Sequence, residues 1–190
     1  MFCPIDGSFQ TDSTFATFTA GLKDDLVLPS LRSLKLRQTS LSDVSLDSFL
    51  KRCPALHRLD ISFTGVRHPA ALITGSSTFA LQKLSLTSTS ISGTDLIATL
   101  RILPELRTLA LGALGGSYGP RSSGSSSATM TMSDEALRTI TDILEPFQHL
   151  KNISLVGNTK LGSSSKSALS YFIARVGRKC KVCSELNILI

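Results

Sequence analysis

One phrase returns four times at equal intervals between Leu31 and Leu106. It reads LRSLKLRQTSL from Leu31, LHRLDISFTGV from Leu56, LQKLSLTSTSI from Leu81 and LRTLALGALGG from Leu106, a step of 25 residues each time. A period of this order means that one small unit is copied and stacked, so the chain builds an extended array rather than a single central core.

Counting from the first leucine of each phrase, Leu31, Leu34, Leu36 and Leu41 stand at offsets 0, 3, 5 and 10. The same offsets return as Leu56, Leu59, Ile61, Val66 and as Leu81, Leu84, Leu86, Ile91. Offsets 3 and 5 alternate with polar residues, which predicts a short strand with one buried face. Thr39, Thr64 and Thr89 recur at offset 8. A hydroxyl there is placed to bond backbone groups where the strand turns away, groups that stacking would otherwise bury unpaired. A helical half follows, with Val44, Leu46, Phe49 and Leu50 expected on one face, and Leu96, Leu100 and Leu103 on the corresponding face two units later. Pro54 and Pro104 stop these helices two residues before the next phrase. Stacked copies put parallel strands on one surface and helices on the other, and because helices are wider, the stack bends with its strands inside. The class expected is therefore an α/β solenoid of about five repeats plus a partial sixth.

The units are not all alike. The segment RHPAALITGSSTF carries Pro69 and Gly75 inside the expected helix, which predicts a short or broken helix between Pro69 and Phe79. From Leu106 to Leu150 is 44 residues, 19 more than the step, and the excess falls in the Gly/Ser-rich run GALGGSYGPRSSGSSSATMTM. Residues 115–131 read as a flexible insert. A helix restarts with Ser133 or Asp134 as N-cap, an apolar face of Ala136, Leu137, Ile140, Ile143 and Leu144, and Pro146 as its stop. The fifth phrase, LKNISLVGNTKL from Leu150, has Asn158 at offset 8 and leads into a helix expected over Ser165 to Arg178, burying Leu169, Phe172, Ile173 and Val176. Cys183, Leu186 and Ile188 then repeat offsets 0, 3 and 5. An apolar strand at that edge predicts a cover, oligomerisation through the edge, or a shortened member of a longer family. Residues 1–27 lack the phrase; Phe15, Phe18 and Leu22 share one face of a short helix, as in a degenerate repeat or cap. The division expected is 1–27 as that cap and 28–190 as the repeat domain.

The phrase LxxLxLxxT/N resembles the leucine-rich repeat, and KRCPALHRLDIS from Lys51 resembles its cysteine-containing subclass. Cys53-Pro54-Ala55-Leu56 matches the closing step of that subclass; Leu103-Pro104-Glu105-Leu106 and Leu28-Pro29-Ser30-Leu31 match it without the cysteine. The subclass is similar to the ribonuclease-inhibitor-like horseshoes and to the repeat halves of F-box proteins. The resemblance implies a horseshoe that binds proteins, as the recognition half of an adaptor related to ubiquitin-ligase substrate receptors. Nothing in residues 1–27 resembles the helical F-box module itself.

Composition narrows the partner. The net charge of +6 and pI near 9.4 favour acidic partners, while 20 basic against 14 acidic residues is too mild an excess to point to nucleic acid. Four cysteines, no basic leader followed by an apolar run, and no stretch approaching the roughly 20 apolar residues of a membrane span predict an intracellular, reducing compartment, cytoplasm or nucleus. The strand positions that point outward, at offsets 2, 4 and 6, make the concave surface. The partner-binding residues expected there are Lys35, Arg37, Arg58, Asp60, Lys83, Ser85 and Thr87, with Ser33 and Ser62 beside them and Arg32 and Arg107 on the rim. They form a basic, hydroxyl-rich strip suited to an acidic protein segment. The alternative site is the acid-free segment 160–181, with Lys160, Lys166, Arg175, Arg178, Lys179 and Lys181, which suits nucleic acid or another anionic surface. Cations at a helix C-terminus also complement its dipole without any ligand.

No catalytic, metal or cofactor site is expected. Cys180-Lys-Val-Cys183 lacks the second ligand pair of a metal site, and it follows a helix where a redox pair would precede one. Cys183 reads instead as a buried thiol at a repeat leucine position. GALGGSYG lacks the Lys-Ser/Thr ending of a phosphate loop.

Overall fold

The computed structural model describes residues 12–22, 26–74, 81–112, 114, 132–158, 161 and 166–180. Each phrase makes one three-residue strand: β1 (Ser33–Lys35), β2 (Arg58–Asp60), β3 (Lys83–Ser85), β4 (Thr108–Ala110) and β5 (Asn152–Ser154). They pair in sequence order, all parallel, and every phrase is in register with the next, so Leu34, Leu59, Leu84, Leu109 and Ile153 fall in one row. Apart from Leu34 at the edge, that row is buried, as are Ile61, Leu86, Leu111 and Leu155 at offset 5. Burying one such side chain contributes about 1.5–3 kcal/mol, and the repeat applies that gain unit after unit.

The helices stack in the same order. They are α1 (Asp12–Ala20), α2 (Asp43–Leu50), α3 (Pro69–Thr74), α4 (Gly93–Arg101), α5 (Asp134–Leu144) and α6 (Lys166–Phe172), each touching the next. Ser92 and Ser133 cap α4 and α5, accepting from the N–H groups of Asp95 and Ala136 at 3.1 and 3.2 Å. In α3, Pro69 occupies the first position, where its missing N–H costs nothing, and the helix closes after six residues. That is the short helix expected there; residues 75–79 lie outside the described residues. At the N-terminal end, Phe15 of α1 packs edge-on to Phe49 of α2 at 5.5 Å.

Two helical faces differ from expectation. Val44 is 83% exposed, and Ser45 joins Leu46, Phe49 and Leu50 on the buried side. At about 100° per residue Val44 lies some 200° from Leu46, on the opposite face. Beyond Phe172 the helix widens into a π turn, Ile173–Gly177, with the Arg178 N–H bonding the Ile173 carbonyl five residues back. The wider turn aligns Phe172, Val176 and Cys180 four apart on the buried side and turns Ile173 out, 44% exposed. Leu169 is half-buried, and Ala168 takes the core position.

The exit from each strand repeats too. Gln38, Phe63, Ser88 and Gly157, all at offset 7, have φ of 61°, 59°, 52° and 83°. The offset-8 side chain closes this turn. Thr39, Thr64 and Thr89 donate to the offset-5 carbonyls of Leu36, Ile61 and Leu86 at 2.7, 2.7 and 2.8 Å. This is the role expected of the repeated hydroxyl. The insert expected at 115–131 and the sixth phrase from Cys183 lie outside the described residues.

Candidate partner-binding face

What positions the strand face is a hydrogen-bonded clasp at the start of every strand. The offset-1 carbonyl of each unit accepts two N–H groups from the next. Arg32 takes those of His57 and Arg58, His57 those of Gln82 and Lys83, Gln82 those of Arg107 and Thr108, and Arg107 those of Lys151 and Asn152, all between 2.7 and 3.1 Å. The backbone carrying offsets 1 and 2 is thereby fixed from one end of the sheet to the other.

On this frame the exposed face is basic. Arg32, Lys35, Arg37, Arg58, Lys83, Arg107 and Lys151 are all exposed, and none is in an ion pair among the described residues. The one acid, Asp60, is half-buried and accepts from the Ser62 N–H, two residues on in its own unit, at 3.1 Å. Offsets 1 to 6 of the five units thus carry seven cations and one carboxylate. That net +6 equals the charge of the whole chain, and the rest of the sequence holds thirteen basic and thirteen acidic residues. The convex side shows that balance locally: Lys51 pairs with Asp47 at 2.6 Å and Arg175 with Glu145 at 2.7 Å.

The expected residues divide by position. Arg58 and Lys83 are register partners at offset 2, while Lys35 faces Asp60 in the offset-4 row. Arg37 reaches across to the next unit, its guanidinium 5.1 Å from the Phe63 ring centroid. Thr87 is half-buried, and its N–H donates to the Ser62 hydroxyl at 3.2 Å. Ser85, expected on the open strip, is only 7% exposed. Its short side chain sits in the middle strand, flanked in register by Asp60 and Ala110, whereas Lys35 is long and lies on the edge strand. Lys151 belongs to the same face and went unnoticed in the sequence. It stands at offset 1 of the fifth phrase, as Arg107 does in the fourth, so the repeat alignment already points to it, and the pairing of β4 with β5 brings the two side by side.

The basic segment near the C-terminus is more occupied. Besides pairing with Glu145, Arg175 lies 4.6 Å from the Tyr171 ring centroid, and Lys179 donates to the Glu145 carbonyl at 2.7 Å, at the end of α5. Tyr171 donates to Asp142 at 2.6 Å. Lys160 and Lys181 lie outside the described residues.

On the helix side, three units are tied by Asp43, His68 and Asp95. The Asp43 carboxylate accepts the Arg67 and His68 N–H groups at 3.0 Å, and His68 Nδ1 lies 3.1 Å from Asp95 Oδ1. The bond to Asp95 raises the His68 pKa above its ordinary value. Burial pushes Asp95 upward, but the bonds from Ser92 and His68 outweigh it and hold the carboxyl below the usual range. Burial alone drives the Cys53 thiol up to about 11. Among the described residues no group of His, Cys, Asp or Glu is placed to hold a metal ion, and no helix is long and apolar enough to cross a membrane.

By fold, the chain is a leucine-rich-repeat solenoid. Residues 9–77 match the family model described as "FBD-associated F-box protein At5g56370, LRR repeats". The match takes in α1, ahead of the first clean phrase. The tropomodulin C-terminal domain of Caenorhabditis elegans has a similar structure, with a TM-score of 0.54 and 12% identity over 88% of this chain and 92% of that one. No curated protein matches the sequence.

Proposed function

We propose that this solenoid is a non-catalytic scaffold that captures a protein partner through an acidic segment laid on its concave strands. The observation that carries this reading is the placement of charge: offsets 1 to 6 of the five units carry a net +6, equal to that of the chain, on cations that are in no ion pair among the described residues, while the charges in the rest of the sequence sum to zero. A charge excess arising from composition alone would be spread over both surfaces. Complementary potential of this kind steers encounter and fixes orientation. The match of residues 9–77 to the repeats of an F-box protein supports a finer reading, in which the chain is the recognition part of an adaptor.

The nucleic-acid or anionic-surface reading through 160–181 has less support, because Arg175 and Lys179 are already spent on Glu145. The test compares proteins co-purified from the native cell by wild type, by K35E/R58E/K83E and by the convex control R101E/R178E. Loss of the same proteins from the first variant only is expected, with at least about tenfold weaker capture; equal capture by all three overturns the proposal.

A further inference from the structure

We infer that the acidic segment is an α-helix lying across the strands, with its carboxylates along one side. The inference rests on the reading above and concerns the form of the partner. Each strand contributes one exposed cation near its start: Arg58 and Lys83 at offset 2, and Arg32, Arg107 and Lys151 one residue earlier, on the rim, a step of about 3.3 Å along the strand. The clasp of paired hydrogen bonds holds these five backbones in line, so the row is set before any partner arrives.

Parallel neighbours lie about 4.8 Å apart, so the row of five extends about 19 Å. A helix presents side chains on one side once per turn, about every 5.4 Å, and five carboxylates at alternating steps of three and four residues extend about 22 Å. Flexible lysine and arginine stems absorb a difference of about 3 Å. An extended segment shows one face every second residue, about 6.7 Å, so five carboxylates extend about 27 Å and leave the row. A single-stranded nucleic acid would need platforms for its bases. Offsets 1 to 6 of the five units contain no Phe, Tyr or Trp. Lys35 and Arg37 add charge at the first unit, so the acid-richest end of the helix lies there.

The experiment uses three synthetic peptides of identical composition, each about 20 residues with five glutamates. One carries them along a single helical side, one at alternating positions and one evenly around the helix. Binding to the full chain is followed by fluorescence anisotropy across a salt series and peptide helicity by circular dichroism, with a mixed oligonucleotide of similar charge as a fourth probe. The one-sided peptide is expected to bind at least about tenfold more tightly than its isomers and to gain helicity on binding. R58E/K83E and, separately, R107E/K151E are expected to abolish that preference while melting like wild type. Equal or tighter binding of the alternating peptide overturns the helix and leaves acidic docking standing. Equal binding of all three also overturns it, since composition alone would then suffice. No peptide binding that differs between wild type and R58E/K83E overturns the acidic-docking reading itself. Tighter binding of the oligonucleotide overturns the protein partner.

Discussion

The side-chain amide of Asn158 donates to the Leu111 carbonyl at 2.7 Å, reaching a strand exit 47 residues earlier. The same nitrogen donates to Leu155 O at 2.8 Å, and Oδ1 accepts the Leu114 N–H at 3.0 Å. Leu114 holds offset 8 of the fourth unit, where the first three units have threonine, and it has no hydroxyl to close its own turn. Asn158 therefore serves two units. Asn158→Ala is expected to lower stability by about 2–4 kcal/mol in urea titrations, because several half-buried backbone groups lose partners. Asn158→Thr restores only the Leu155 bond and is expected to recover about half.

The left-handed turn at offset 7 makes a second prediction. A non-glycine residue there costs about 1–2 kcal/mol, partly offset by the greater unfolded freedom of glycine. Gln38 is exposed, and its N–H donates to the Ser62 carbonyl, a bond that glycine keeps. Gln38→Gly should therefore raise stability by about 0.5–1 kcal/mol and Gly157→Ala lower it by a similar amount. Opposite shifts in the urea midpoint check this; equal signs would contradict it.

How far the sequence reveals this molecule depends on the kind of signal. Burial at offsets 0, 3, 5 and 10 is written in leucines because apolar side chains leave a period. The left-handed turn is nearly invisible, since only Gly157 among its four residues announces it. The π turn leaves no mark, and so Ile173 reads as core. At the candidate face, Arg58 and Lys83 are legible from alternation alone. Ser85 is not, because its burial depends on what stands beside it in the neighbouring strands. Lys151 is legible from the offsets of the fifth phrase, which place it where Arg32 and Arg107 stand in theirs.

Titration tests the tie between units. His68 has a raised pKa, so its contribution is fully present below the ordinary value of 6.5 and is lost as pH rises through the folded value. Asp95 has a lowered one, so its contribution is present above 3.8 and is lost as pH falls through the folded value. The pair is charged on both sides between these limits. Since the histidine side chain is 58% exposed, screening keeps the effect small. Thermal melting from pH 5 to 8 is expected to show a modest fall in Tm for wild type and a flatter profile for His68→Asn.

Cys53 is buried, and its thiol donates to the Phe49 carbonyl. With its pKa near 11, the thiolate is scarce at pH 8. Alkylation of the Cys53 peptide, followed by mass spectrometry, should be at least about a hundredfold slower in the folded chain than in urea. Comparable rates would place the thiol at the surface.

β4 and β5 pair Thr108 with Asn152, 44 residues apart, in the same register that other strands reach in 25. The sheet counts units and is indifferent to the length of chain between them. Lengthening a connection costs little, because loop-closure entropy grows only with the logarithm of length. The joint after Leu114 is therefore a place where a lineage can add, trade or delete sequence while the rest of the array stays as it was. It is also the natural point at which to splice a reporter.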